Sequence, residues 1–445
     1  MIISVLRLAL PAMRCASASE SRYNSMVESG FVGVPQDIRA ERDWPPAVVA
    51  CIHQTGVNLM RDLLRRGVRT AGIDSDPTVA GFRSIYGEPH LCPNPDTAPG
   101  EWVEFMKALS KRLGQRPVLM CASDLFVMAV GRHADELSEY FLFSPAAKLQ
   151  AALCTKEEQY ALAEQYDFPR PRTQYIQSAA QLKQFIEQAR FPCLIKPRSE
   201  REWWVLPKGH PLHGKKIGIA ATAEQLLDFY AKVEPFRREA VAQEMIQGPD
   251  SNKHCYLSVY ATDSSRLGYC VVRELRCYPP QWGSASMAEP VIDPEIDQVC
   301  DRFLRKAGYA GLCEIEVKRD AADGKVKLIE VNPRFSGTGD ASVYAGIEVG
   351  WLHYLDLIGK RPAPVEPPSG VHVHHIMLRG EVPGVVGYLY DGTLAWRDWL
   401  NSYRGRLAFY DFDWRDWRVS AETLWRCIKD GGGIFRRKVR LSVSP

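Results

Sequence analysis

GLCEIEVKRDAADGKVKLIEVNPRFSG, residues Gly311–Gly337, has the pattern of an antiparallel hairpin. CEIEVK and KLIEVN alternate polar and apolar residues as half-buried strands do, and DAADG between them is turn-like. A hairpin centre near Asp323 sets Glu316 opposite Glu330 and Glu314 opposite Asn332. Side chains alternate faces along a strand, so Glu314, Glu316, Glu330 and Asn332 share one face. Ile315, Val317, Ile329 and Val331 share the other, the core face. Like charges facing each other across strands repel, so the polar face calls for a cation. Two carboxylates and an amide oxygen form a hard oxygen set suited to Mg²⁺, which takes few protein ligands. A solvated acidic hairpin would alternate in the same way. It would leave the closing NPRFSG, with its Asn, Pro and Arg beside the acids, without a reason.

Upstream, EAVAQEMI is strand-like and QGPDS a turn. HCYLSVYAT and RLGYCVVREL read as two strands joined by a polar DSS turn, and Pro294–Ala307 as a helix. Alternation puts Arg273 on the face of Tyr269 and Val271, where an inward guanidinium would grip a carboxylate or phosphate. Arg276 reads equally well as a surface residue, and GSAS as a mobile loop over a cleft. FPCLIKP (Phe191–Pro197) is a strand stopped by proline. Thr222–Val233 is a helix with Thr222 as N-cap. CTKEEQYALAEQYDFPRPRT opens with a helix capped by Thr155 or Cys154.

Further back, AVVACI is an apolar run of the kind buried in a parallel sheet. Asn58–Arg66 is an amphipathic helix ended by Gly67, VRTAGID is a strand, and PVLMCAS precedes a helical stretch through Leu137. This β-α-β alternation makes residues 44–143 a small doubly wound domain. HQTGVN after the first strand has one glycine, too few for a dinucleotide fingerprint, so the domain reads as a scaffold lending one wall to a cleft. Downstream, RPAPVEPPSG is a linker by composition. VHVHH (371–375) alternates like an edge strand, in preference to a metal motif. The last part is rich in tryptophan (Trp396, Trp399, Trp414, Trp417, Trp425) and is expected to dock on the main body.

The composition is that of an ordinary globular protein, 46% hydrophobic and 24% charged. A formal net charge of +3 gives no reason to expect nucleic acid, and the basic cluster Arg436, Arg437, Lys438 and Arg440 reads as a solvated tail. The 12 cysteines show no C-x-x-C spacing, which suits reduced thiols in a cytoplasmic protein. MIISVLRLAL, broken by Arg7, is too short to span a membrane. A flexible N-terminal extension over 1–43 is preferred to a signal peptide, with Met26 as an alternative start.

IEVNPR (329–334) matches the E-x-N-P-R metal-binding strand of the ATP-grasp superfamily, with Glu316 on the preceding acidic strand. The chain resembles that superfamily, and within it the carboligase and carboxylate–amine ligase subgroup, from about Val48 to the C-terminal region. The resemblance implies a mixed α/β and α+β chain with four parts. These are an N-terminal extension (1–43), a doubly wound parallel-sheet pre-ATP-grasp domain (44–143), a two-lobed ATP-grasp domain (144–361, its small lid lobe about 167–245) and a linker with a Trp-rich C-terminal module (362–445).

The same resemblance implies that ATP is used with one or two Mg²⁺, or Mn²⁺ in its place, held by Glu316, Glu330 and Asn332. Arg334 would bind the transferring phosphoryl group or an acyl-phosphate; Arg273, from the strand alternation above, is the second candidate catalytic arginine. Lys156 and Lys196 fit the family's two nucleotide lysines. AQEMIQGPD (242–250) resembles its adenine hinge, putting Glu244 and Ile246 at the base and Asp250 at the ribose. The family's glycine-rich phosphate loop is replaced by REWWVLPKGHPLHGKKIGIA, in which Lys216 or Lys215 would face phosphate. The implied reaction activates a carboxylate as an acyl-phosphate and joins it to an amine, in a cytoplasmic enzyme without nucleic-acid or membrane partners and with a homodimer as its analogue-based assembly. A biotin-carboxylase-like activity and a non-catalytic ATP-binding protein are the alternatives.

Overall fold

The computed structural model describes residues 44–197, 203, 206–213, 215, 217–236, 240–281, 283–427 and 429. The extension read over 1–43, Trp204, Lys216 and the basic tail residues lie outside them. The described chain forms two compact units. One runs up to Phe168, resumes over Pro249–Val317 and continues from Ile329 onward; the other is Pro169–Gly248 with the hairpin tip Lys318–Leu328.

The first unit opens with a parallel sheet of β1 (Ala47–Ala50), β2 (Thr70–Asp74), β3 (Glu88–Leu91) and β4 (Val118–Cys121), in the order β3-β2-β1-β4. All four residues of β1 are buried, which is why its sequence is unbroken hydrophobic rather than alternating. Helices α1 (Gln54–Arg65) and α2 (Pro99–Leu113) connect the strands, and α3 (Asp124–Arg132) follows β4. Trp102, Met106, Phe126 and Ile73 fill the core beneath α2 and α3. Burying each such side chain contributes roughly 1.5–3 kcal/mol. Because β2 and β3 lie on one side of β1 and β4 on the other, strand order reverses between β1 and β4. In open α/β sheets such a reversal is where ligands bind, at the strands' carboxyl ends.

α1 starts at Gln54 rather than at the expected Asn58. Cys51, just after β1, adopts a left-handed conformation (φ 77°) that turns the chain sharply into the helix. Gly56 makes that turn sterically feasible: a Cβ there would lie 1.9 Å from the Cys51 carbonyl oxygen and 3.3 Å from Val49 Cγ1. α4 (Lys156–Gln165) follows, with Thr155 as its cap accepting from Glu158 N at 3.3 Å.

The second unit is an antiparallel sheet of β5 (Thr173–Ile176), β6 (Cys193–Pro197), β7 (Gly218–Ala220) and β8 (Ala240–Glu244), in the order β5-β8-β6-β7. α5 (Ala179–Gln188) and α6 (Ala223–Val233) cover it, and Ile176, Leu182, Phe185, Trp203, Leu226 and Val233 form its core. Thr222 caps α6 through Gln225 N at 3.4 Å.

A larger sheet holds β9 (Lys253–Tyr260), β10 (Arg266–Tyr278), β11 (Ser284–Val291), β12 (Gly311–Arg319), β13 (Val326–Asn332), β14 (Val373–Ile376) and β15 (Arg406–Phe409), all in the first unit but for the hairpin tip of β12 and β13. Its order is β13-β12-β9-β10-β11-β14-β15. α7 (Pro294–Lys306) begins at the Asp293 cap, and α8 (Gly339–Tyr344), α9 (Val349–Leu357) and α10 (Leu378–Tyr390) follow β13.

Two expectations change here. Residues 284–286 of GSAS belong to β11, paired antiparallel with β10, instead of a mobile loop. The small residues of SASMAEPV carry little strand propensity, so pairing with neighbours decides their conformation. VHVHH does not make an edge strand, because β14 lies between β11 and β15. β15 comes some thirty residues later and pairs in parallel, a contact that local alternation cannot reveal.

The C-terminal segment joins the same unit. Asp413 accepts from Tyr86 Oη at 2.6 Å and Asp416 from Ser84 Oγ at 2.5 Å. Arg61 of α1 reaches Asp340 of α8 at 2.6 Å, and His375 of β14 lies 3.4 Å from the other Asp340 oxygen. All three side chains are buried. These contacts fix the small parallel sheet against the large one.

Gly56→Ala is expected to destabilise the protein by about 1–3 kcal/mol in urea unfolding, since the Cβ meets backbone rather than a flexible side chain. Gly100→Ala, in the first turn of α2 with open space around it, should stay within about 0.5 kcal/mol of wild type. Equal effects of the two substitutions would contradict this account of the turn.

Candidate functional site

The polar face of the β12–β13 hairpin carries the acids. Asn332 Nδ2 donates to Glu314 Oε1 at 3.1 Å and to Glu316 Oε1 at 3.4 Å, so the three side chains share a face. Glu314 is buried and also accepts from Ser336 Oγ at 2.7 Å and from the Thr338 hydroxyl. Its oxygens are thus committed to anchoring Asn332 and the loop after β13. That weakens its standing as a fourth metal ligand.

Glu330 pairs with Lys156 at the start of α4, Nζ to Oε1 at 2.6 Å. Burial works against the Lys156 charge, but Glu330 outweighs it and raises the pKa. Glu316 is less well compensated. Burial, then Glu330 and Glu314, push its carboxyl up to about 8. Lys253 of β9 pulls the other way but is itself bound to the buried Glu274 of β10 at 2.7 Å. Burial opposes the Lys253 charge; Glu274 and then Glu316 overcome it and hold the ammonium protonated.

Does this face fit a divalent cation? It offers two half-buried carboxylates, one of them pushed towards its protonated form by burial and then by repulsion, and an amide whose oxygen and nitrogen are interchangeable by a flip. A hard cation would relieve the repulsion and deprotonate Glu316, so the donor set fits Mg²⁺.

Arg334, two residues past β13, donates from Nε to Asp124 Oδ1 at 2.6 Å and from a terminal nitrogen to Asn332 Oδ1 at 3.0 Å. Burial disfavours its charge and Asp124 more than restores it. Asp124 opens α3 at the carboxyl end of β4, and Phe335 N donates to the Cys121 carbonyl at 3.2 Å. The arginine therefore stands by the carboxyl end of β4, where the small sheet reverses its order. Glu314, Glu316, Glu330, Asn332, Arg334 and Lys156 are brought together with Lys253, Glu274 and Asp124. Sequence reasoning missed those last three. A lone Lys at the head of the apolar HCYLSVY strand is the one local signal that could have flagged Lys253.

In the second unit, Lys196 of β6 donates to Gln243 Oε1 at 2.5 Å. Glu244 is buried and accepts from Arg190 N at 2.9 Å and from the Arg190 guanidinium at 3.3 Å. Met245 N donates to the Pro192 carbonyl at 3.0 Å and Gln247 N to Asp320 Oδ1 at 3.2 Å, with half-buried Ile246 between them. This segment is thus held by its main chain at both ends.

Two expected site residues are engaged elsewhere. Arg273 is partly exposed and paired with Glu289, its cross-strand neighbour on β11. His374, then Arg273, lower the Glu289 pKa to about 2 despite burial. The next residue, Glu274, faces the acids, so Arg273 points away from them. A bulge after Glu274 shifts the register, and Arg276 is buried against Glu381 at 2.5 Å rather than lying at the surface. Asp250 accepts from Tyr388 Oη at 2.5 Å and Gln281 N at 3.2 Å, an arrangement that already uses one of its oxygens twice.

Residues 268–377 match the family model described as ATP-grasp in the biosynthetic pathway with Ter operon. A D-aspartate ligase of Enterococcus faecium (strain Aus0004) is 26% identical over 249 residues, 52% of this chain and 58% of that protein. The chain therefore spans less than two thirds of that relative. Among solved structures, the ADP complex of N5-carboxyaminoimidazole synthetase from Staphylococcus aureus aligns with a TM-score of 0.55 at 13% identity, covering 74% of this chain and 81% of the other. The L-amino acid ligase of Bacillus licheniformis aligns with a TM-score of 0.53 at 13% identity, covering 72% and 75%. The E-x-N-P-R strand and the acid face lie within the matched segment, and the chain is similar there to ATP-grasp ligases. Among the described residues, no helix is long and apolar enough to cross a membrane.

Glu316 ionises near 4.5 in an unfolded chain and near 8 in the fold. The native state then holds the extra proton between those values, so metal-free stability falls as pH rises through that window. Mg²⁺ should accordingly raise the melting temperature more at about pH 9 than at about pH 6, because less proton must be displaced. Differential scanning fluorimetry with Mg²⁺ against EDTA reads this. Equal shifts at both pH values would contradict the assignment.

Proposed function

We propose that the protein is an ADP-forming ligase that activates a substrate carboxylate as an acyl-phosphate and joins it to an amine. The observation that carries this reading is the undercompensated Glu316, set with Glu330 and Asn332 on the E-x-N-P-R hairpin beside Arg334 and Lys156. The similarity to a D-aspartate ligase supports an amino acid as one of the two substrates.

In this proposal Glu316, Glu330 and Asn332 hold one or two Mg²⁺, whose charge would neutralise the phosphates of ATP. Lys196, with the main chain from Glu244 to Ile246, contacts the nucleotide, and Lys156 adds positive charge beside Glu330. A substrate carboxylate attacks the γ-phosphate, breaking its bond to ADP, and the amine then displaces phosphate from the acyl-phosphate. Arg334, kept charged and aimed by Asp124, binds the oxygens on which negative charge accumulates. These groups act by positioning and charge compensation, and no side-chain nucleophile is needed. Arg273 and Asp250, engaged with Glu289 and Tyr388, take no part in it. The supply of ATP and the free, mostly buried cysteines among the described residues favour the cytoplasm as the place of reaction.

The test is ADP and phosphate release on a matrix of amino acids, other carboxylic acids and amines. At least one acid–amine pair should give stoichiometric ADP, phosphate and amide. Glu316→Gln and Glu330→Gln should each lower turnover by at least about 10²–10³-fold. ATP turnover left unchanged in both variants would sink the reading.

A further inference from the structure

We infer that Cys51, His53 and Asp74 form a second metal site, for one borderline-soft divalent cation such as Zn²⁺, at the carboxyl ends of β1 and β2. One thiol, one imidazole and one carboxylate place their ligand atoms all within 4.8 Å of one another. Cys51 and Asp74 are buried, and His53 is exposed at the head of α1. None of them belongs to the acid face.

The backbone around the cluster is built for it. Cys51 holds a left-handed conformation that a non-glycine residue adopts only at a cost of order 1 kcal/mol. That turn brings residues 51 and 53 to the same end of the sheet as Asp74. The Asp74 carboxylate is oriented on both sides, by Ile52 N on Oδ2 at 3.0 Å and Asp76 N on Oδ1 at 3.1 Å. Each oxygen keeps a lone pair for a cation. Around Cys51 the His53 backbone favours the thiolate, Asp74 disfavours it until a cation lies between them, and Ser123 and Arg334 favour it more weakly. Such outer contacts orient and charge a metal ligand.

Without metal, burial pushes the thiol up to about 11, so it is protonated. Binding breaks the S–H bond, forms the sulfur–metal bond and sends one proton to solvent. One thiolate and one carboxylate then neutralise a divalent charge, and neutral imidazole completes three ligands of a tetrahedron. Sulfur and nitrogen donors select Zn²⁺ or Co²⁺ over Mg²⁺, so the site is chemically separate from the oxygen set of Glu316, Glu330 and Asn332.

Co²⁺ titration of the full-length, reduced protein in the presence of Mg²⁺ tests this. One equivalent should produce a thiolate-to-Co²⁺ charge-transfer band in the near ultraviolet, with about one proton released, and Zn²⁺ should bleach it. Cys51→Ser should abolish the band. His53→Ala, at an exposed position that leaves the core intact, should weaken Co²⁺ binding at least about 10-fold. Glu316→Gln should leave the band unchanged. No band, or a band that survives in Cys51→Ser and His53→Ala, overturns the proposal.

Discussion

Like-charge repulsion across the β12–β13 hairpin governs the larger sheet. Glu314, Glu316 and Glu330 stand on one face, and each finds a different answer. Two hydroxyls and an amide satisfy Glu314. Lys156 at the head of α4 answers Glu330. Glu316 is left with an amide hydrogen and the field of a lysine already bound to Glu274, and its carboxyl is pushed up to about 8. A fold selected for metal-free stability would place an arginine or an apolar residue there, since undercompensated buried acids cost several kcal/mol. The site accepts that cost, and a cation arriving with a ligand would offset it.

Arg334 ties this face to the parallel sheet. Its partner Asp124 opens α3 beyond β4, where strand order reverses, and the Arg61–Asp340–His375 group joins α1, α8 and β14 nearby. The parallel sheet therefore does more than wall a cleft. Its connections supply the carboxylate that aims the arginine and, by our inference, a thiolate–imidazole metal site at the carboxyl ends of β1 and β2. Hard oxygen donors on one sheet and softer donors on the other would let two kinds of cation bind without exchanging places.

Alternation along the hairpin was legible because both strands are regular and the turn is short, so period-2 arithmetic placed Asn332 with Glu314 and Glu316. Helix starts at Thr155, Thr222 and Pro294 were legible because capping chemistry is local. Three kinds of feature were not. Partners distant in sequence, such as Asp124 for Arg334 or Glu274 for Lys253, leave no local signal. A bulge after Glu274 interrupts the alternation and buries Arg276, whose side alternation alone leaves open. β14 looked like an edge because β15, its parallel neighbour, comes later in the chain.

The central claim is that Glu316 and its neighbours hold the cation that accompanies a nucleotide, and calorimetric titration of ADP with and without Mg²⁺ tests it most directly. The account predicts that Mg²⁺ tightens ADP binding at least about 10-fold, near 1.4 kcal/mol, in the wild type and not in Glu316→Gln. ADP affinity that does not respond to Mg²⁺ in the wild type, or responds equally in Glu316→Gln, would contradict it.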